Sequence, residues 1–162
     1  MEENRSALYA ALRAEAAALT EGEENLMANL ANVAALLGDT LPQINWAGFY
    51  LMDGGQLVLG PFWGKPACLR IQPGRGVCGT AVVADAIQRV ADVHAFPGHI
   101  ACDAASASEI VLPLHVNGNV AAVLDIDSPI PARFTEADQA GLSDLAALLE
   151  ALPWHKCGYD LH

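Results

Sequence analysis

Hydrophobic positions recur at helical spacing in the N-terminal quarter of the chain. Leu8, Leu12, Ala16 and Leu19 predict an amphipathic helix over residues 4–19. Thr20-Glu21-Gly22-Glu23 has the form of a capping box. The helix that follows sets Leu26, Leu30, Val33 and Leu37 on one face, with Gly38 as its stop. The pattern then changes. Residues 45–52 (NWAGFYLM) and 56–62 (QLVLGPF) read as strands joined by a turn at Asp53-Gly54-Gly55. A glycine-rich loop at 73–79 feeds a short Ala/Val helix over 77–86, and 88–93 reads as a short strand. Residues 109–116 (EIVLPLHV) and 120–127 (VAAVLDID) flank Asn117-Gly118, the strongest hairpin signal in the chain. Thr135-Glu136-Ala137-Asp138 caps a last helix with Leu142, Leu145, Leu149 and Leu152 on one face. About six strands with hairpin connections require a largely antiparallel sheet, and the N- and C-terminal helices must cover one face of it. The expected fold class is α+β, in a single domain over residues 1–162.

Composition narrows the function classes. Of the 162 residues, 53% are hydrophobic, which excludes a disordered chain. Apolar runs are broken by charge, Gly or Pro before about 18 residues, so no membrane span is expected. The N-terminus is acidic from its second residue and does not read as a signal peptide. With 8 Lys+Arg against 19 Asp+Glu, the net charge is −11. That balance argues against nucleic acid and favours a cationic or zwitterionic ligand. The four cysteines, Cys68, Cys78, Cys102 and Cys157, contain no CxxC pair. In a reducing cytosol they serve either as small buried hydrophobes or as redox groups.

Candidate chemistry gathers in the second half. The loop over 94–108 is long for a compact domain, a length usually associated with function. It holds His94, His99, Cys102 and Asp103, and Glu109 follows it at the start of a strand. Asp125 and Asp127 alternate onto one sheet face. Two carboxylates on a core face are costly, so they mark either a solvated strand end or a polar pocket. Trp46 is either core or the apolar wall of that pocket. H-x4-H-x2-C at 94–102 offers metal-ligand types but matches no closed structural zinc site. The G-x-x-x-x-G-K-[ST] phosphate loop is absent.

INWAGFYL (44–51), LGPFWGKPACLRI (59–71), GRGVCGTAV (74–82), VADVHAFPGHIACDAASASEIVLPL (90–114) and VLDIDSP (123–129) resemble the free methionine-(R)-sulfoxide reductases, enzymes of the GAF fold. The resemblance implies thioredoxin-dependent reduction of free L-methionine (R)-S-oxide, with no cofactor and no metal. It implies Cys102 as the nucleophile that becomes a sulfenic acid. Cys68 is the expected recycling cysteine, with Cys78 open in the same role, and Cys157 has no counterpart. Trp46 would hold the substrate methyl group, and Glu109, Asp125 and Asp127 would bind the ammonium and the sulfoxide oxygen. Backbone N–H groups of residues 102–105 are the expected site for the substrate carboxylate. The expected location is the cytoplasm, and a second copy of the chain is left open as a partner. The alternative is a GAF sensor that binds a small molecule without turnover. Against it stand the three cysteines and the lack of residues for an output domain. A weaker third reading is a zinc-dependent hydrolase using His94, His99 and Cys102.

Overall fold

The computed structural model describes residues 2–99 and 105–156. Its elements run α1 (Glu2–Thr20), α2 (Leu26–Thr40), β1 (Trp46–Asp53), β2 (Gln56–Gly64), β3 (Arg70–Ile71), α3 (Gly76–Ala84), β4 (Gln88–Val90), β5 (Ser108–Val116), β6 (Asn119–Ser128) and α4 (Glu136–Glu150). Single 3₁₀ turns occupy Val93–Ala95 and Trp154–Lys156.

Both glycine-containing hairpins form as the sequence predicts. Gly54 and Gly55 between β1 and β2, and Asn117 and Gly118 between β5 and β6, all have positive φ. Two left-handed residues give the turn whose twist matches that of the flanking strands. β6 pairs antiparallel with β1, and β3 and β4 extend the two edges. The result is one six-stranded antiparallel sheet in the order β3-β2-β1-β6-β5-β4. β3 escaped the sequence reading because a two-residue strand has no alternation to detect.

Alternation divides the strand side chains between two apolar clusters. Ala47, Phe49 and Leu51 of β1, with Ile110, Leu112, Leu124 and Ile126, face the helical layer. There α2 lies on β1 and β2, α4 lies on β5, and α1 packs across α2 and α4. Trp46, Tyr50 and Met52 face the other way, with Val111 and Val123, and pack against Val77, Cys78 and Ala81 of α3. The sheet is thus covered on both faces, by three helices on one and by α3 on the other.

Three local expectations need correction. Thr20 does not cap α2; it closes α1 by donating its hydroxyl to the Ala16 carbonyl. The α2 cap is Asn25, whose side chain accepts from the Ala28 N–H at 3.0 Å. Nor does Gly38 stop α2, which continues to Thr40. A Cβ at Gly38 would lie 2.2 Å from the Trp63 ring, so the glycine lets the indole sit against the helix backbone. Leu19, placed on the apolar face by spacing, is exposed, and Tyr9 joins Leu12 and Ala16 in the core instead. Thr135 does form the predicted capping box with Asp138. Among the described residues, no helix is long and apolar enough to cross a membrane.

Candidate functional site

Strand register assembles the site. In the ladder Trp46 of β1 lies opposite Asp127 of β6, and Asp127 lies opposite Glu109 of β5. The three side chains form a row across the sheet on the face that α3 covers. Asp125, two residues back along β6, points the same way, with Gly48 and Val111 as its cross-strand neighbours. Gly48 has a steric reason to be there. A Cβ on it would come within 2.4 Å of Phe62 Cβ and 2.8 Å of the Trp46 ring. With that space open, Trp46 stacks on Phe62 at 5.3 Å between centroids and on Tyr50 at 5.9 Å. Its Nε1–H donates to the Lys65 carbonyl at 3.1 Å, which fixes the ring. Trp46, Cys78, Glu109, Asp125 and Asp127 all line one pocket, together with Tyr50, Pro66, Ala67, Arg75, Val77, His99 and Ser106.

The floor of this pocket is acidic and buried. Glu109 is 7% exposed and Asp125 5%, and Asp127 is half-buried. Glu109 shares side-chain hydrogen bonds with both aspartates. Burial, then the charges of Asp125 and Asp127, hold the Glu109 carboxyl well above the ordinary carboxylate range. Burial also raises Asp125, opposed by its hydrogen bonds with Glu109, Cys78 and Asp127. A carboxyl raised in this way holds its proton to higher pH than an ordinary one, and a protonated carboxyl is a donor. Asp125 Oδ1 is buried and has no hydrogen-bond partner among the described residues.

Cys78, in the first turn of α3, donates its thiol to Asp125. Burial first, and then the nearby carboxylates, push that thiol well above its usual range, so it stays protonated. Cys68, by contrast, is disulfide-bonded, and Cys78 is free. The Cys68 side chain packs against the cluster on this face of the sheet. Its carbonyl accepts from the Tyr50 hydroxyl at 2.9 Å. Burial and the facing carboxylates raise the Tyr50 hydroxyl, which remains a neutral donor. Cys102, Asp103 and Cys157 lie outside the described residues, as does most of the 102–105 segment expected to hold a carboxylate.

Positive charge enters from one side. Arg75 occupies the N-cap position of α3 and lines the pocket, as do Gly76 and Val77 of the first helical turn. A helix N-terminus carries partial positive charge and favours anions. His99 also lines the pocket, and burial followed by the neighbouring His94 lowers its pKa. His94 itself turns to Asp92, accepting no place in the pocket lining. Sequence reasoning missed Tyr50, Arg75 and Ser106. Period-two spacing from Trp46 would have found Tyr50, and the GRGVCG motif contains Arg75. No local signal marks Ser106, which receives a hydrogen bond from the Asn45 side chain at 3.2 Å.

Residues 7–152 match the GAF domain family. The free methionine-R-sulfoxide reductase of Escherichia coli (strain K12) is 57% identical over 147 residues, covering 91% of this chain and 89% of the relative. The structure of fRMsr of Staphylococcus aureus in complex with substrate has 51% identity and a TM-score of 0.84, covering 88% of this chain and 93% of that one. The free methionine-R-sulfoxide reductase of Neisseria meningitidis in complex with its substrate has 45% identity and a TM-score of 0.87, covering 90% and 87%.

Proposed function

The chain belongs to the free methionine-R-sulfoxide reductases of the GAF domain family, and we propose that it reduces free L-methionine (R)-S-oxide to methionine with thioredoxin as the electron donor. The Cys102 thiolate attacks the sulfoxide sulfur, and oxygen passes to the cysteine as methionine leaves. The Cys102 sulfenic acid then condenses with the Cys68 thiol, forming a disulfide and water. A thioredoxin dithiol restores both thiols by exchange through a mixed disulfide. Such a cycle belongs in a reducing compartment, here the cytoplasm.

The observation that carries this reading is the row of Trp46, Asp127 and Glu109 across three strands. It sets an apolar wall directly beside acidic groups. Trp46 receives the methyl group, while Glu109 and Asp127 face the sulfoxide oxygen. Glu109, held neutral by burial and its acidic neighbours, donates a proton as the S–O bond breaks. Asp125, with its unpartnered Oδ1, takes the substrate ammonium. Arg75 and the N-terminal turn of α3 hold the carboxylate at the pocket's positive side.

Two features support Cys68 over Cys78 as the recycling thiol. Cys68 is the one engaged in a disulfide, and Cys78 is buried, protonated and bonded to Asp125. The same disulfide favours an enzyme over a ligand sensor without turnover.

The test is an NADPH-coupled assay with thioredoxin and thioredoxin reductase. The free (R)-epimer should consume NADPH, and the (S)-epimer and N-acetylated (R)-epimer should not. Removing the ammonium leaves buried carboxyl groups unpaired, which a polar site rejects strongly. Equal rates on N-acetylated or peptide-bound substrate would refute the pocket assignment.

A further inference from the structure

We propose that Cys78, Glu109 and Asp125 form a binding site for one Zn²⁺ ion, and that the bound ion closes the pocket to the amino-acid substrate. One ligand atom from each residue, the Cys78 sulfur and a carboxylate oxygen from each acid, lies within 4.8 Å of the other two. Around tetrahedral zinc, with bonds of about 2.0–2.3 Å, ligand atoms sit roughly 3.4–3.6 Å apart. Small side-chain shifts therefore bring the set onto one ion.

Independent of that spacing, Asp125 Oδ1 is buried without a partner among the described residues and needs a cation or donor. The ligands come from α3, β5 and β6, three packed elements that fix the backbone of the site and leave only side-chain shifts to close it. One thiolate with two carboxylates selects zinc over the hard cations magnesium and calcium. Three protein ligands leave one position of a tetrahedral ion for water or another small ligand. On binding, the Cys78 thiol and the protonated carboxyls among the ligands release their protons to solvent, and the two charges of the ion offset two of the three ligand charges.

The metal site stands on this geometry alone. Its inhibitory effect rests on the proposed function, because Glu109 and Asp125 are the groups assigned there to the substrate.

The protein with Cys68 in its disulfide is titrated with Co²⁺ in the absence of substrate. One ion per chain should bind and give a thiolate-to-cobalt charge-transfer band that Zn²⁺ then bleaches. Cys78→Ser should abolish the band. Glu109→Gln and Asp125→Asn, with circular dichroism showing the native fold, should weaken binding at least tenfold. No band in the wild type, a band that survives in Cys78→Ser, or unchanged affinity in both folded carboxyl variants would overturn the site. Zn²⁺ should then act competitively against methionine-(R)-sulfoxide, and inhibition without any rise in KM would overturn the blockade. The band is read without substrate and turnover without metal, so failure of the metal site is distinguishable from failure of the reductase assignment.

Discussion

Replacing Glu109 by Gln separates holding the substrate oxygen from protonating it. The residue is 7% exposed and sits opposite Asp127 in the β5–β6 ladder. Gln has nearly the same shape, is neutral at every pH and keeps an N–H donor, so ground-state binding should survive. It has no proton to give to the departing oxygen. A positioned general acid contributes about 10²–10⁴-fold. At about 1.36 kcal/mol per decade that is about 2.7–5.4 kcal/mol of transition-state stabilisation. The single-turnover rate of methionine release should fall by that factor, with KM changed by no more than about threefold.

The pH dependence follows from the raised Glu109 pKa, caused by burial and then by Asp125 and Asp127. The protonated form is the active one, so the wild-type rate declines as pH rises through that raised value. The Gln variant should lack this limb. Stability has the same sign. A carboxyl whose folded pKa lies above its unfolded value stabilises the fold below the unfolded pKa, and the contribution is lost as pH rises through the folded one. The Tm of Glu109→Gln relative to wild type should therefore increase with pH. Single-turnover kinetics and thermal melts over a pH series measure both effects. A folded Glu109→Gln protein with a wild-type rate, or with only KM altered, would refute the general-acid role.

Three further outcomes are expected. Cys68→Ser should release about one methionine per chain without reductant and lose thioredoxin-dependent turnover, since its sulfenic acid finds no recycling thiol; mass mapping of the wild type after substrate should find Cys68 paired with Cys102. Arg75→Ala should raise KM for free methionine-(R)-sulfoxide about tenfold with little change in single-turnover rate, as loss of a binding contact does. Asp138→Ala should lower stability by about 3–5 kcal/mol, because it strips the partner from buried Arg133, and by urea or thermal melts Tm should fall about 6–20 °C. Burial opposes ionisation of Asp138, but the Thr135 N–H, the Tyr9 hydroxyl and Arg133 hold its carboxyl below the usual range. That part of the stability is present above the unfolded carboxylate pKa and is lost as pH falls through the folded value.

Local chemistry wrote much of the framework into the chain. Asn117-Gly118 and Gly54-Gly55 specify turns by tolerating positive φ, and the Thr135–Asp138 box specifies a helix start by satisfying its own N–H groups. Period-two alternation put Asp125 and Asp127 on one face whatever they paired with, and the motifs between residues 44 and 129 carry the family resemblance in the chain itself. Only the tertiary structure decided which residues meet. Register between strands distant in sequence set Trp46 beside Asp127 and Asp127 beside Glu109. The packing of α3 onto that face buried Cys78 against Asp125, which pushes the thiol and the carboxyl above their usual ranges. Gly38 shows the same limit from the other side. Read locally, it is a helix stop; in the fold, α2 runs through it because the contact it permits is with Trp63 of β2, and a close approach between distant segments leaves no local signal. Propensity, capping and alternation are properties of neighbouring residues, whereas burial and the pKa shifts it causes arise only when distant segments exclude water together.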